Sequence, residues 1–336
     1  MVDIQGQVVR DTTYVVGVVG CGRWGLAHIH TLLELKESGF VKEVYACDTN
    51  AQRLEELPAQ IDGCFSSWEE MCDFIEPDLV SLVTPNKTHA QLGKSILLRG
   101  LNVLIEKPLA TSVADVRELT TLANASRTNL HSGYLLRYHP SVCAAKEIIE
   151  EGKIGLLKSI RYIKYTSRNK KPLTNPVDGL ASHALDMIPY LAGVKPHPFF
   201  TNIITLKQNK AASLSEATEC KINAQYTGLK RLNHVAVEIS VGWEQNDRSL
   251  ITIEGSKNAL RFDFTSPDVL ELGSIEDGFK RVTLTDMKKP LEAQYRNILS
   301  QSPQSLAHAN THLQTAEILQ ITVLRAESWS CKHAGN

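Results

Sequence analysis

At 336 residues the chain is long enough for two compact domains, because single hydrophobic cores usually stop growing before about 250 residues. Its 36 Lys and Arg against 37 Asp and Glu leave a net charge of -1, too balanced to attract a polyanion, so nucleic acid is excluded as an expected partner. Hydrophobic residues at 43% and charged residues at 22% match ordinary globular usage and speak against disorder.

Residues 1–13 mix Asp3, Gln5, Arg10 and Asp11 with isolated apolar residues, unlike a signal peptide. No segment approaches the roughly 20 apolar residues that span a bilayer, so no membrane association is expected. The seven cysteines, at 21, 47, 64, 72, 143, 220 and 331, are scattered and lack a Cys-x-x-Cys pair, which suggests neither a disulfide framework nor a zinc site. No other cluster has metal-ligand spacing. A cytoplasmic protein without a metal is the expectation.

In chain order, residues 15–19, 44–47, 79–83 and 103–105 read as short buried strands separated by helix-like stretches, the pattern of βαβ units and a parallel sheet covered on both faces. Beyond residue 155 the texture changes. Segments 160–165, 221–226, 235–241 and 250–254 follow one another without helices, and Val235, Val237, Ile239 and Val241 alternate with Ala236, Glu238 and Ser240 as in a half-buried antiparallel strand. Polar residues 208–219 and 245–247 are expected as loops. Residues 306–329 look helical, with Leu313, Ala316, Leu319, Ile321 and Leu324 roughly sharing a face.

Gly20, Gly22 and Gly25 form G-x-G-x-x-G between the first strand and the helix-like residues 26–35. Gly20 permits the tight turn, Gly22 lets the backbone approach a pyrophosphate, and Gly25 allows the helix to pack on the strand, while the N–H groups of Arg23 and Trp24 open the helix towards the phosphates. Asp48 follows the second strand 23 residues after Gly25, near the spacing of an acid that bonds the adenosine ribose. A carboxylate there repels a 2′-phosphate and favours NAD over NADP, with the nearby Arg53 as the group that could receive such a phosphate.

Thr84, Pro85, Asn86, Lys87, Thr88, His89 and Ala90 follow the strand 79–83, and Glu106, Lys107, Pro108, Leu109 and Ala110 follow the strand 103–105. With the glycine turn, these resemble the signatures of the glucose–fructose oxidoreductase/inositol dehydrogenase/MocA-like family, and residues 133–140 are similar to the family segment that leads into its second domain. The resemblance covers nearly the whole chain and is weakest from about 200 to 300. It implies an α/β protein with an N-terminal Rossmann domain (13–135), a doubly wound parallel sheet, and a C-terminal α+β domain (136–330) with a large open, mainly antiparallel sheet. That sheet would form a homodimer or homotetramer interface, and the C-terminal helix would pack back on the first domain. The implied NAD-binding set is Gly20, Gly22, Arg23, Trp24, Gly25, Asp48, Thr84, Pro85, Asn86, His89, Glu106, Lys107 and Arg137, with His89 a support for the cofactor crevice. Lys107 would sit beside the nicotinamide, followed by Pro108, commonly cis in the family.

The family's second catalytic element is a histidine inside D-x-x-x-H-x-x-D. His183 and Asp186 match H-x-x-D, but Gly179 stands where the first acid is expected, with Asp178 one place earlier. A one-residue shift brings Asp178 into the vacant place, or Lys107 and His183 work as a pair, or catalysis is lost. Lys107, Asp178, His183 and Asp186 are the implied substrate-binding residues, with Lys107 and His183 catalytic.

The function so implied is oxidation of a secondary alcohol on a sugar or nucleotide-linked sugar, for example of UDP-N-acetylhexosamine type, with Lys107 or His183 taking the hydroxyl proton as hydride leaves. Arg161, Arg168, Lys170 and Lys171 either hold a diphosphate or carboxylate or form an ordinary solvated loop. Two other readings stand beside this one: an NAD-dependent glycosidase working by transient oxidation and elimination, and a non-catalytic NAD-binding regulatory protein, motivated by Gly179.

Overall fold

The computed structural model describes residues 13–167, 175–196, 203–208, 217–228, 234–243, 246–266, 269–274, 276–300 and 307–333. The chain divides into two compact units, Met1–Gly133 with Leu291–Ala316, and Tyr134–Pro290 with Glu317–Asn336.

The first unit alternates β1 (Tyr14–Val19), α1 (Arg23–Glu37), β2 (Val41–Cys47), α2 (Ala51–Glu55), β3 (Gly63–Phe65), α3 (Trp68–Ile75), β4 (Leu79–Leu82), α4 (Asn86–Leu98), β5 (Val103–Ile105), α5 (Val113–Ser126) and β6 (Leu130–Ser132). All six strands pair in parallel in the order β3-β2-β1-β4-β5-β6, so the sheet reverses direction of growth between β1 and β4. Ligands of doubly wound sheets bind at the carboxyl ends of the strands beside that switch. The strands are continuous apolar runs because both faces are covered. Val16, Val18 and Val44 pack with Ile29 and Leu32 of α1, while Val80, Leu82 and Ile105 belong to the core that includes Ile96 of α4 and Leu119 of α5.

The second unit starts with a 3-10 turn (Leu135–Tyr138) and contains α6 (Pro140–Glu150), β7 (Leu157–Tyr165), a π-helix (Val177–Ala181), α7 (Ser182–Ala192), and then β8 (Val194–Pro196), β9 (Ile203–Gln208), β10 (Ala217–Gly228), β11 (His234–Gly242), β12 (Arg248–Gly255), β13 (Ala259–Asp263), β14 (Leu270–Ser274) and β15 (Gly278–Val282). Its nine-stranded sheet runs β15-β14-β13-β12-β7-β11-β10-β8, with β9 also on β10. Among the described residues of this sheet, only β7 and β11 pair in parallel; the other pairs are antiparallel. Alternation sends Val235, Val237 and Ile239 of β11 and Ile160 and Tyr162 of β7 into one core with Leu185 and Ile188 of α7.

The chain ends with α8 (Pro290–Ser300) and α9 (Ala307–His333). Leu291, Tyr295, Ile298 and Leu299 of α8 pack in the α1 core of the first unit, and Leu313 and Ala316 of α9 lie against its other core. From Glu317 onward α9 belongs to the second unit.

Two expectations change, on residues 208–219 and on α9. The polar stretch 208–219 is not all loop: Gln208 closes β9 and Ala217–Glu219 open β10, because the pairing of the two strands continues to Gln208 and Ala217; residues 209–216 lie outside the described ones. In the polar stretch 245–247, Gln245 lies outside the described residues, and Asn246 and Asp247 form the bend before β12. The buried stripe of α9 is His312, Thr315, Ile318, Thr322 and Ala326, while Ile321 and Leu324 are exposed. Counting apolar residues chose the wrong face because the buried polar ones are satisfied: the Thr322 hydroxyl donates to Ile318 O, and the two nitrogens of His312 lie 3.0 Å from Leu130 O and Ser132 Oγ.

Candidate active site

At the carboxyl end of β1 the backbone turns sharply. Gly20 has φ +100°, a left-handed conformation, and a Cβ there would lie 2.6 Å from Val83 O. Gly25 packs so closely under the turn that its Cβ would stand 1.9 Å from Gly20 O. A Cβ at Gly22, in contrast, would meet nothing within 4 Å, and Gly22 caps α1 with no side-chain bond to the helix N–H groups. Open space before uncapped N–H groups, beside an exposed Trp24, is what a dinucleotide pyrophosphate requires.

Asp48, at the end of β2, is buried. Its Oδ2 accepts from the Cys21 N–H at 2.8 Å and from Arg53 Nη1 at 3.3 Å, and Oδ1 accepts from the Asn50 N–H at 2.9 Å. Burial works to raise its pKa, but the Asn50 and Cys21 amides and Arg53 outweigh it and hold the carboxyl below its ordinary value. Asp48 is therefore both a strut of the glycine turn and a fixed negative charge. Two carboxylate oxygens offer about four acceptor sites, so the three bonds leave room for a further donor such as a ribose hydroxyl. Burial first and Asp48 second push the Cys21 thiol up to about 12, which removes it as a nucleophile.

Thr84, Pro85 and Asn86 lead from β4 into α4, and Glu106 and Lys107 leave β5. His89, fully buried on α4, joins the two turns: its Nδ1 lies 2.8 Å from Pro108 O and its Nε2 2.8 Å from Thr84 O. The Lys107–Pro108 peptide is cis. Lys107 is half-buried, and its N–H donates to Glu106 Oε2 at 3.1 Å. The structure thus brings Lys107, His89, Glu106, Asn86 and the glycine turn to one end of one sheet.

Arg137, Asp178, His183 and Asp186 belong to the second unit. The Arg137 guanidinium forks onto Asp186, Nε to Oδ2 at 2.8 Å and Nη2 to Oδ1 at 2.5 Å, and lies over the Tyr190 ring at 5.1 Å. Burial alone would lower the Arg137 pKa, but Asp186 wins and raises it. The fork ties the turn that starts the unit to α7, which carries His183.

Before α7 the helix is wound as a π-helix, with the Ser182 N–H bonded to Val177 O, and it contains both Asp178 and Gly179. In an i→i+5 turn, residues five apart are one-turn neighbours, as residues four apart are in an α-helix. Asp178 and His183 are five apart. Asn175 holds Asp178, receiving its N–H at 3.0 Å and donating to Oδ2 at 2.7 Å.

Sequence reasoning missed His28, Ser81 and Tyr295, which make a buried polar chain behind Glu106. The available signal was a histidine on the apolar face of α1; Tyr295 gave none, since it arrives from 189 residues beyond Glu106. Of the basic group, Arg161 points to the sheet face opposite α7, as alternation with Ile160 and Tyr162 dictates, and pairs with Glu238 at 3.0 Å. It does not line the His183 helix. Arg168, Lys170 and Lys171 lie outside the described residues. Among the described residues no group of His, Cys, Asp or Glu could hold a metal, and no helix is long and apolar enough to cross a membrane.

A doubly wound sheet with this glycine turn, acid and lysine defines an NAD(P)-binding oxidoreductase. Residues 14–134 match the Gfo/Idh/MocA family, described as an oxidoreductase family with an NAD-binding Rossmann fold. It is 26% identical over 277 residues to an uncharacterized oxidoreductase of Streptococcus pneumoniae (78% of this chain, 72% of the relative). It is 24% identical over 285 residues to inositol 2-dehydrogenase of Rhizobium meliloti (80% and 81%). Its fold is similar to that of UDP-N-acetylglucosamine 3-dehydrogenase from Acidithiobacillus ferrooxidans, with a TM-score of 0.79 at 18% identity over 95% of this chain and 99% of that one.

Proposed function

We propose that the protein is an NAD-dependent dehydrogenase that oxidises a secondary alcohol of a sugar or nucleotide-linked sugar. The observation that carries this reading is Lys107, fixed at the carboxyl end of β5 by buried partners on both sides, Glu106 before it and the His89-bound carbonyl of Pro108 after it. The likeness to an inositol dehydrogenase and a UDP-sugar dehydrogenase supports the substrate class.

NAD+ supplies the hydride acceptor when bound. The glycine turn and the first N–H groups of α1 take its phosphates, and Asp48, negative and already engaged by Arg53, favours a ribose hydroxyl over a 2′-phosphate. Lys107 binds the reacting hydroxyl oxygen, and His183 accepts its proton. Hydride loss without simultaneous proton removal would leave a cationic centre in a dry pocket, so the base must act in the same event. Asp178, one π-turn before His183, fills the place of the family acid and orients His183 towards the substrate. The remote face of the nine-stranded sheet, with the Arg161–Glu238 and Arg261–Glu271 pairs, is the homodimer or homotetramer interface in this reading.

The test is incubation with NAD+ and a panel of free and UDP-linked sugars, following absorbance of the reduced cofactor. Net reduction with at least one member is expected. Silence across the panel counts against a dehydrogenase, and turnover that splits a glycoside without net reduction favours the transient-oxidation glycosidase.

A further inference from the structure

The buried polar side chains behind Lys107 form one continuous chain. Ser81 lies in β4, His28 on the buried face of α1, Tyr295 on α8, and Glu106 directly before Lys107. The Tyr295 hydroxyl is 2.8 Å from Ser81 Oγ and 2.7 Å from His28 Nδ1, and His28 Nε2 is 3.1 Å from Glu106 Oε1. Glu106 comes this close to the backbone because residue 133 is glycine: a Cβ there would lie 2.4 Å from Glu106 Oε1.

Glu106 accepts the Lys107 N–H on Oε2 and lies 3.1 Å from His28 Nε2 through Oε1, where as a carboxylate it would receive the Nε2–H. The direction of every bond then follows. A carboxylate only accepts, so His28 Nε2–H donates to it, which leaves Nδ1 as a lone pair that accepts the Tyr295 hydroxyl proton, while the Tyr295 oxygen accepts from Ser81. Burial pushes the Tyr295 phenol far above its ordinary value, so it stays a donor. The chain ends at Ser81, which is fully buried, and so leads no proton to solvent. A network satisfied at every member that conducts nothing serves to hold its end member still. That end is the carboxylate that accepts the Lys107 backbone N–H, and the His28 ring also meets Trp24 of the glycine turn edge-on at 5.7 Å.

We infer that Tyr295, His28 and Glu106 act together as positioning residues for Lys107, with the late helix α8 supplying the group that fixes the His28 tautomer; this rests on the role proposed for Lys107. The central variant is Tyr295→Phe, which removes one hydroxyl and keeps the ring. Nitrogen-15 NMR of the wild-type protein should find His28 protonated on Nε2 alone, and the variant should lose that single tautomer. The pH profile of Lys107 labelling by an amine-reactive reagent, read by mass spectrometry, should move to lower pH in Glu106→Gln, because a neighbouring carboxylate favours the ammonium, and in the same direction in Tyr295→Phe. With a substrate in hand, Tyr295→Phe should lower kcat about tenfold at unchanged NAD+ affinity, the order expected when a supporting hydrogen bond is lost.

A wild-type His28 protonated on Nδ1, or a Tyr295→Phe protein whose Lys107 profile and kcat equal those of the wild type, overturns the inference. Neither the tautomer nor the labelling profile needs a substrate, so both still decide the matter if no sugar reduces the cofactor and the dehydrogenase reading falls. Should Tyr295→Phe not fold, the wild-type His28 tautomer and the Glu106→Gln profile decide it.

Discussion

Gly22 and Gly25 sit three residues apart in one motif, yet the structure separates their tasks. In Gly25→Ala the new Cβ would be 1.9 Å from Gly20 O, where real Cβ contacts do not fall under 3.0 Å, so backbone must move by more than an ångström. Overpacking of this kind costs about 1–3 kcal/mol, with the upper end expected because the obstacle is main chain instead of a flexible side chain. In Gly22→Ala the Cβ enters open space at φ -70°, which alanine adopts freely, and the loss of a glycine N-cap costs less than about 1 kcal/mol. The same Cβ stands where a pyrophosphate must approach the backbone. Urea unfolding and NAD+ titration on both variants separate these effects. Gly22→Ala should unfold like the wild type and bind NAD+ at least about tenfold more weakly, a loss of about 1.4 kcal/mol, whereas Gly25→Ala should lose stability first. If Gly22→Ala binds NAD+ as the wild type does, the cofactor does not lie on this turn.

The Arg137–Asp186 fork is buried, so Asp186→Asn, which leaves the guanidinium uncompensated, should destabilise the protein by about 3–5 kcal/mol in thermal or urea unfolding; a change under about 1 kcal/mol would mean the pair is solvated. His139 caps α6 through its Nδ1, and burial pulls its pKa from 6.5 to about 4. Above pH 6.5 folded and unfolded chains are both neutral at this residue; below it the unfolded chain takes a proton the folded one refuses, so stability should fall by about 3 kcal/mol between pH 6.5 and 4. His139→Asn should flatten that slope, and an unchanged slope would place the titration elsewhere. Asp178→Ala should lower kcat with NAD+ affinity unchanged; wild-type kcat would show that the π-helix carries no catalytic acid.

The cofactor half was legible because its chemistry is local. Three glycines, an acid at the end of the next strand and a lysine after an apolar triplet each report on a backbone position a few residues away, and parallel strands buried on both faces leave unbroken apolar runs. Strands β3 and β6 escaped notice, being three residues long with mixed burial. The second unit was legible as a sheet from the alternation in β11, but no sequence pattern announces that β7 pairs in parallel with β11 or that β13–β15 extend the edge. At Gly179 the sequence left open whether Asp178, one place earlier, takes the position of the acid; the π-winding of residues 177–181 that bears on this is a property of the backbone and not of composition. The pairing of Arg137 with Asp186, 49 residues apart, left no sign in the sequence, which gave each only the role implied by the family resemblance.

The central claim is that Lys107 works on the substrate of an NAD-dependent dehydrogenase. The direct measurement is the initial rate of NAD+ reduction by the wild type and Lys107→Ala with whichever sugar the panel identifies, alongside NAD+ titration of both proteins. The account predicts that Lys107→Ala binds NAD+ as the wild type does and reduces it at least about a hundredfold more slowly, about 2.7 kcal/mol of lost transition-state stabilisation. Equal rates for the two proteins would contradict it.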